Sequence, residues 1–261
     1  MTVFILIIRA AATSARRLIA SPSALATVAV FYLMVTIVLS GLWARAAEGR
    51  GGSLVGYSAA ALIWYIATSE AAVNGIPIRL IEQIGIDITS GRIETELLRP
   101  ATPVVVRLAS EVGVALPRVG VCIGVGSVYC LVVAGRPPSL LASALAIPAL
   151  ILAVVGNLTA QHAFASAAFW LGDTKSSWFL YQKLVFVLGG MLLPLEILPR
   201  PLEITAKALP FAAFSYAPAR LASGHVEPWW LLVQAGWLVV LGAVVLKTFA
   251  AGERRMIRVG A

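Results

Sequence analysis

The feature that most constrains this chain is a series of apolar segments, each long enough to cross a lipid bilayer. The hydrocarbon core of a bilayer is about 30 Å thick, and a helix of roughly 20 residues spans it. The sequence is 60% hydrophobic and only 12% charged over 261 residues, whereas soluble domains carry about 25% charged residues. These numbers exclude a soluble enzyme and predict a polytopic membrane protein.

The apolar runs predict an all-α fold with six transmembrane helices in one membrane domain, residues 1–261. Proline, glycine and charged residues separate the runs. The predicted spans cover residues 23–44, 54–76, 112–134, 142–171, 177–193 and 229–250. The fourth run is long, so we expect it to tilt, bend near Pro148 or extend beyond the bilayer. The connecting segments leave no room for a soluble catalytic domain, so any energy source is expected in another chain.

An amphipathic helix is predicted before the first span, over residues 3–20. On a helical wheel Arg9 and Arg16 lie on one stripe, and Phe4 and Ile8 lie on the other. This pattern is typical of a helix lying in the membrane interface.

The segment before the last span, residues 194–218, is rich in proline and still apolar. It has too many helix breakers for a simple span and is too apolar for a simple loop. Its prolines are Pro194, Pro199, Pro201, Pro210 and Pro218. We therefore predict a re-entrant or surface-lying hairpin.

The charge distribution predicts the orientation of the chain. With six spans, most of the 20 Lys and Arg residues fall on the same side of the membrane as both termini. The positive-inside rule makes that side cytoplasmic. We expect a multi-pass protein of the inner (cytoplasmic) membrane with both termini in the cytoplasm. Topology thus explains the net charge of +8, and no nucleic-acid partner is expected.

The sequence offers no pattern for a catalytic, cofactor or metal site. The nearest approach to a phosphate-binding loop, residues 172–177, lacks the paired glycines that cradle phosphates. Only two histidines and two cysteines are present, and the cysteines are Cys122 and Cys130 in one apolar segment. That set is too small to predict a metal site within one chain.

Polar residues inside the spans are the candidates for a translocation path: Glu70, Arg118, Asn157, Gln161 and His162. Ionisable groups in lipid are costly, so they face the protein interior or extend to the headgroups. Two interpretations of Arg118 stay open, snorkelling to the inner headgroups or contacting Glu70 in an inward cavity. The polar patch of the fourth span either bonds neighbouring helices or lines the path.

The longest charged segment, residues 78–103, alternates apolar and charged residues. Ile84 and Ile88 are separated by charged Asp87, and Arg92 follows. The alternation favours a helix that docks on another protein, with a solvated loop as the alternative. We expect Ile84 and Ile88 to enter a groove of that partner, with Asp87 and Arg92 pairing at its rim.

Two motifs and the order of elements resemble the membrane subunit of ATP-binding-cassette (ABC) exporters of the type-2 class. The first motif is GRIETELLRP at residues 91–100. The second is GGMLLPLEILP at residues 189–199, continuing to LPF at 209–211. Both are similar to stretches found in a bacterial multidrug/viologen-type efflux branch, and the resemblance covers nearly the whole chain.

The resemblance implies partners and roles for particular residues. Two separate ABC ATPase subunits, which bind ATP and Mg, serve a pair of permeases, identical or related, while the permease itself holds no cofactor. The ATPase-coupling residues are Ile84, Asp87, Ile88, Gly91, Arg92, Glu94, Arg99 and Pro100, and the extracellular re-entrant residues are Pro194, Glu196, Pro199 and Pro210. The expected function is outward transport of amphipathic drug-like or lipid-like compounds.

Two other functions remain open on the sequence. An ion- or proton-coupled secondary carrier would need inverted repeats and a charged relay at mid-membrane, and the sequence contains no such repeat. A non-transporting membrane scaffold would not need the polar patch of the fourth span.

Overall fold

A computed structural model of the chain describes residues 2–77, 79–92, 102–172 and 174–259, most of them helical. The first elements are α1 (Thr2–Ile19), α2 (Pro22–Glu48), β1 (Ser53–Leu54), β2 (Tyr57–Ser58), α3 (Ala59–Asn74) and α4 (Leu80–Thr89). The two short strands form an antiparallel hairpin in which Ser53 faces Ser58 and Leu54 faces Tyr57.

The second half of the chain contains the long helices and the proline-rich segment. Its elements are α5 (Pro103–Ala134), α6 (Leu140–Ala165), α7 (Ala168–Leu171), α8 (Lys175–Leu188), a 3-10 turn (Leu195–Ile197), α9 (Arg200–Ala208), α10 (Pro210–Phe214), α11 (Tyr216–Ala222) and α12 (Trp229–Val259). The prediction of a mainly helical fold is confirmed.

Four helical segments in the described part of the chain are long and apolar enough to cross a membrane. They are Pro22–Glu48, Pro103–Ala134, Leu140–Leu171 and Trp229–Met256. The predicted second and fifth spans correspond to α3 and α8, which have 16 and 14 residues. Both are shorter than the roughly 17 residues of the shortest spanning helices. The count of six spans therefore stays a prediction.

Several helices begin or end away from the bounds predicted for the spans, and local backbone chemistry explains why. The second helix begins at Ala59 rather than residue 54, because the glycine-rich hairpin precedes it and the Ser58 side chain caps it by accepting from the Ala61 amide at 3.2 Å. The third begins at Pro103 rather than 112, since proline suits the first turn of a helix. The fifth ends at Leu188 rather than 193, before Gly190 with a φ of 68°.

α1 packs closely along α5 while its apolar stripe faces outward. A Cβ built on Gly113 of α5 would lie 2.1 Å from the Ala11 carbonyl oxygen, so the two backbones are in close contact. Phe4 and Ile8 are 67% and 52% exposed. An outward apolar stripe beside arginines suits the predicted interfacial position, which remains a prediction.

Two apolar cores lie near opposite ends of α3. One surrounds α4 and includes Ile81, Leu158 and Phe249. The other surrounds the hairpin and α11 and includes Tyr57 and Trp230. A 16-residue helix is about 24 Å long, so α3 holds the two cores apart.

Candidate translocation cavity and coupling helix

A cavity of about 560 Å³ lies between α2, α3, α6 and α8. Its wall is mainly aliphatic and aromatic, with a small polar group. The lining residues are Phe31, Met34, Val35, Val38, Leu39, Glu70, Val73, Asn74, Ile76, Pro77, Asn157, Gln161, Trp178, Tyr181, Gln182, Val185, Phe186, Met191 and Leu192. Its volume falls in the range of small-molecule sites, about 300–1,000 Å³.

Glu70 contributes the acidic group of the cavity wall. α3 is buried over most of its length, and Glu70 itself is 0% exposed. The Asn74 side-chain amide, one turn later, donates to Glu70 Oε2 at 2.7 Å. Glu70 Oε1 has no hydrogen-bond partner among the described residues. A carboxyl group is therefore held in mainly apolar surroundings, and one of its two oxygens accepts no hydrogen bond from the described residues.

The predicted polar patch of the fourth span forms a second group in the wall. Gln161 Nε2 donates to Asn157 Oδ1 at 3.1 Å, and the Tyr181 hydroxyl of α8 donates to the same oxygen. Both interpretations of this patch thus have support in the geometry. Asn157 bonds a neighbouring helix, and Asn157 and Gln161 also line the cavity.

The structure separates His162 and Arg118 from this group. His162 is fully buried with Nδ1 2.8 Å from the Leu158 carbonyl oxygen, and its ring faces Phe249 at 6.4 Å between centroids. Arg118 is partly buried, and no ion pair between the described Glu70 and Arg118 side chains exists. The suggested contact between Glu70 and Arg118 was therefore wrong, and neither Arg118 nor His162 lines the cavity.

The non-helical segment after α8 closes one side of the cavity, and the Met191 and Leu192 carbonyls in it accept side-chain hydrogen bonds. Trp43 Nε1 donates to the Leu192 carbonyl at 2.7 Å, and the Ser69 hydroxyl donates to the Met191 carbonyl at 3.1 Å. Buried backbone groups outside helices and strands require such partners. These bonds fix Met191 and Leu192 in the wall, a role that the sequence did not predict.

α4 is a helix, as the alternation predicted, but its apolar face is turned toward this chain. Ile84 and Ile88 are 1% and 4% exposed in the core around α4. A Cβ on Gly85 would lie 2.2 Å from Thr174 Oγ1, so the helix lies directly on the start of α8. The prediction that Ile84 and Ile88 enter a partner's groove was therefore wrong. Ile86, 55% exposed, is the large apolar residue on the outer face.

The predicted charges of this segment pair within the chain as well. The Asp87 carboxylate forms ion pairs with Arg107 Nη2 at 2.7 Å and with Arg92 Nη2 at 3.0 Å. Its pair with Arg107 joins α4 to the start of α5. Gly91 takes a φ of 73° at the turn after α4. Of the other predicted coupling residues, Glu94, Arg99 and Pro100 lie outside the described residues.

At the other end of α3, Glu196 joins the proline-rich segment to the hairpin. It accepts from Lys207 Nζ and from Arg220 Nη1, each at 3.1 Å. Arg220 Nη1 also donates to the Tyr57 hydroxyl at 2.7 Å, and Arg220 Nη2 pairs with Glu227 at 2.8 Å. We call these five residues the outer cluster.

The electrostatics of the outer cluster follow from its geometry. Hydrogen bonds from Arg220 lower the pKa of Glu227, and burial raises the pKa of the Tyr57 hydroxyl. Sequence reasoning picked out Glu196 but missed Arg220 and Glu227. The available signal was the isolation of these two charges in an otherwise apolar stretch.

The predicted re-entrant segment is a chain of short helices started by prolines. Pro194 precedes the 3-10 turn, Pro199 precedes α9, and Pro210 opens α10. α10 and α11 are almost wholly buried. That these helices form a re-entrant or surface-lying hairpin stays a prediction.

Comparison with known families identifies the chain. The model of a family described as ABC-2 family transporter protein matches residues 31–258, which include the cavity, α4 and the outer cluster. The chain belongs to the ABC-2 family of transporters. It is thus a membrane transport subunit with apolar spanning helices, and ABC-2 permeases are normally paired with an ATPase subunit. Comparison with curated proteins and with solved structures gave no match.

Proposed function

We propose that this chain is the permease subunit of an ATP-driven exporter and forms half of a translocation path powered by a separate ATPase. The observation that carries the proposal is the ABC-2 family match over residues 31–258. The ATPase supplies the sites for ATP and Mg. Within the described residues no cluster of His, Cys, Asp or Glu could hold a metal ion, and no step of the proposal requires one here.

A second permease, identical or related, completes the path in this proposal. Met34 and Val38 of α2 line the cavity and are also 55% and 64% exposed. The wall of the cavity is therefore open to the outside of this chain along α2. A second permease packed on that face would convert the open wall into a shared, enclosed path.

The outer face of α4 is the proposed docking site for the ATPase, one per permease and two in the assembly. Ile86 is its exposed apolar residue, and the exposed polar residues around it are Arg79, Gln83, Thr89, Ser90 and Arg92. A single apolar anchor within a polar rim is the usual arrangement of a binding hot spot. Because the inner face of α4 packs on α6, α7 and α8, motion of the docked ATPase would be passed to helices that line the cavity.

The substrate class that we propose is amphipathic drug-like or lipid-like compounds, as in the efflux branch that the two motifs resemble. The supporting feature is a cavity lined mainly by apolar and aromatic side chains with a few polar groups. In this proposal both termini and α4 lie on the cytoplasmic side of the inner membrane, and the outer cluster lies on the exit side.

Co-expression with a candidate ATPase tests the proposal. The candidate is an ATPase with a phosphate-binding loop encoded beside this chain. We expect the ATPase and a second permease to co-purify with a tagged form of this chain in mild detergent. Failure of every neighbouring ATPase to co-purify, with the chain shown to be folded by its size profile, would argue against an ABC exporter.

A further inference from the structure

We propose that the cavity binds amphipathic organic cations that carry one positive charge, and that Glu70 is the counter-ion. This inference rests on the proposed transport function and names the substrate class of its cavity. It also assigns a residue-level role that the family match does not give.

The first observation is the state of the Glu70 carboxyl. It belongs to the cavity wall, is 0% exposed, and has one oxygen without a hydrogen-bond partner in the described part of the chain. An ionised carboxylate in apolar surroundings is costly unless a positive charge compensates it. No lysine or arginine lines the described cavity. A cation in the cavity would supply the compensation that the ionised form of Glu70 needs.

The second observation is the aromatic wall around this carboxyl. Phe31, Trp178 and Tyr181 line the same cavity, and aromatic faces attract cations with dispersed charge. Phe186 also lines it, but the ammonium of exposed Lys183 already stands 5.9 Å from its ring centroid. An aromatic wall suits the body of a lipophilic cation better than that of a sugar or a peptide.

The third observation is that Glu70 is the single acidic side chain among the described residues of the wall. One carboxylate compensates one charge, so a dication would leave its second charge in apolar surroundings. Because the carboxyl is shielded from water, a charge in the cavity acts on it through a medium of low dielectric constant, where attraction at several ångströms is strong. The structure therefore predicts one bound monocation per chain.

Direct binding tests this inference without any ATPase. The full chain is placed in nanodiscs of zwitterionic lipid, and tetraphenylphosphonium binding is measured by equilibrium dialysis, with tetraphenylborate as an anion of nearly the same shape. After binding to empty nanodiscs of the same lipid is subtracted for each ion, we expect one phosphonium per chain and much weaker binding of the borate. Glu70→Gln keeps the size of the side chain and should weaken phosphonium binding at least ~tenfold, since a buried charge pair loses one member.

Two further variants test whether the phosphonium binds in the cavity. Glu111→Gln removes a partly buried carboxyl from α5, outside the cavity wall, and should bind phosphonium like the unaltered chain. Trp178→Phe removes the tryptophan of the cavity wall and should abolish most of the fluorescence quenching caused by the bound cation. If Glu70→Gln fails to fold, the preference of the unaltered chain for phosphonium over borate still tests the inference.

Equal binding of the two ions by the unaltered chain, unchanged phosphonium affinity in Glu70→Gln, or absence of phosphonium binding would each overturn the inference. Failure of the proposed function looks different. If the assembled exporter moves a neutral dye with ATP while the cation preference is absent, only the role of Glu70 is wrong. If the cation binds through Glu70 but no ATP-driven movement occurs, the site stands and the exporter proposal fails.

Discussion

Because Ile84 and Ile86 lie on opposite faces of α4, their truncation should have different effects. Ile84 is 1% exposed in the core around α4, whereas Ile86 is 55% exposed on the outer face. We expect Ile84→Ala to lower the stability of the permease itself. We expect Ile86→Ala to leave the permease intact and weaken its binding to the proposed ATPase.

The expected magnitudes follow from burial. Truncating a buried isoleucine to alanine costs about 2–5 kcal/mol of unfolding free energy, because it removes buried methyl groups and leaves a cavity. Truncating an exposed one usually changes stability by no more than about 0.5 kcal/mol. An apolar anchor that becomes buried at an interface is worth about 1–3 kcal/mol. Ile86→Ala should therefore weaken ATPase binding by roughly 5- to 150-fold.

Two assays separate these outcomes. Thermal unfolding of the purified permease should show a lower Tm for Ile84→Ala and an unchanged Tm for Ile86→Ala. Titration of the co-purifying ATPase should show weaker binding to Ile86→Ala, and the exposed neighbour Gln83→Ala provides a matched control with near-normal affinity. An Ile86→Ala permease that binds the ATPase normally, or an Ile84→Ala permease of normal stability, would refute this account of α4.

Three further predictions concern topology, helix packing and pH. A membrane-impermeant thiol reagent applied to intact cells should label Ser53→Cys and spare Thr89→Cys, and the reverse pattern would overturn the proposed orientation. Gly113→Ala should lower the Tm, at a cost of about 1–3 kcal/mol, because its Cβ meets the backbone of α1, whereas Gly120→Ala has no neighbour within 4 Å and should be neutral. Because the pKa of Glu227 is lowered by folding, its stabilising effect is present above its ordinary pKa of 4.5 and is lost as the pH falls through the lower folded value. The Tm difference between the unaltered chain and Glu227→Gln should thus be present at pH 7 and vanish in acid, and a difference independent of pH would contradict this.

Much of the fold could be predicted because apolar length and helix breakers are local signals. α1, α2 and the start of α12 lie within a few residues of their predicted positions. The start of α3 could not be predicted from apolarity, because the hairpin before it uses Leu54 and Tyr57 as buried residues. Periodicity does not distinguish such a hairpin from the first turn of a helix.

The candidate site was predicted only in part, because its composition depends on contacts between distant segments. Glu70, Asn157 and Gln161 stand out as polar groups in apolar runs, and they do line one cavity. The alternation around Ile84 predicted an amphipathic helix correctly, but it could not show which face turns inward. In this chain the face that carries Ile84 packs on its own core and not on a partner.

The central claim, that this ABC-2 chain forms a path powered by a separate ATPase, is tested most directly by reconstitution. The permease and its co-purifying ATPase are placed in liposomes, and ATP hydrolysis and movement of an amphipathic dye are measured together. We predict that the permease alone hydrolyses no ATP and that the complex hydrolyses ATP and moves the dye only when ATP is present. Hydrolysis by the permease alone, or dye movement driven by a proton gradient without ATP, would contradict the account.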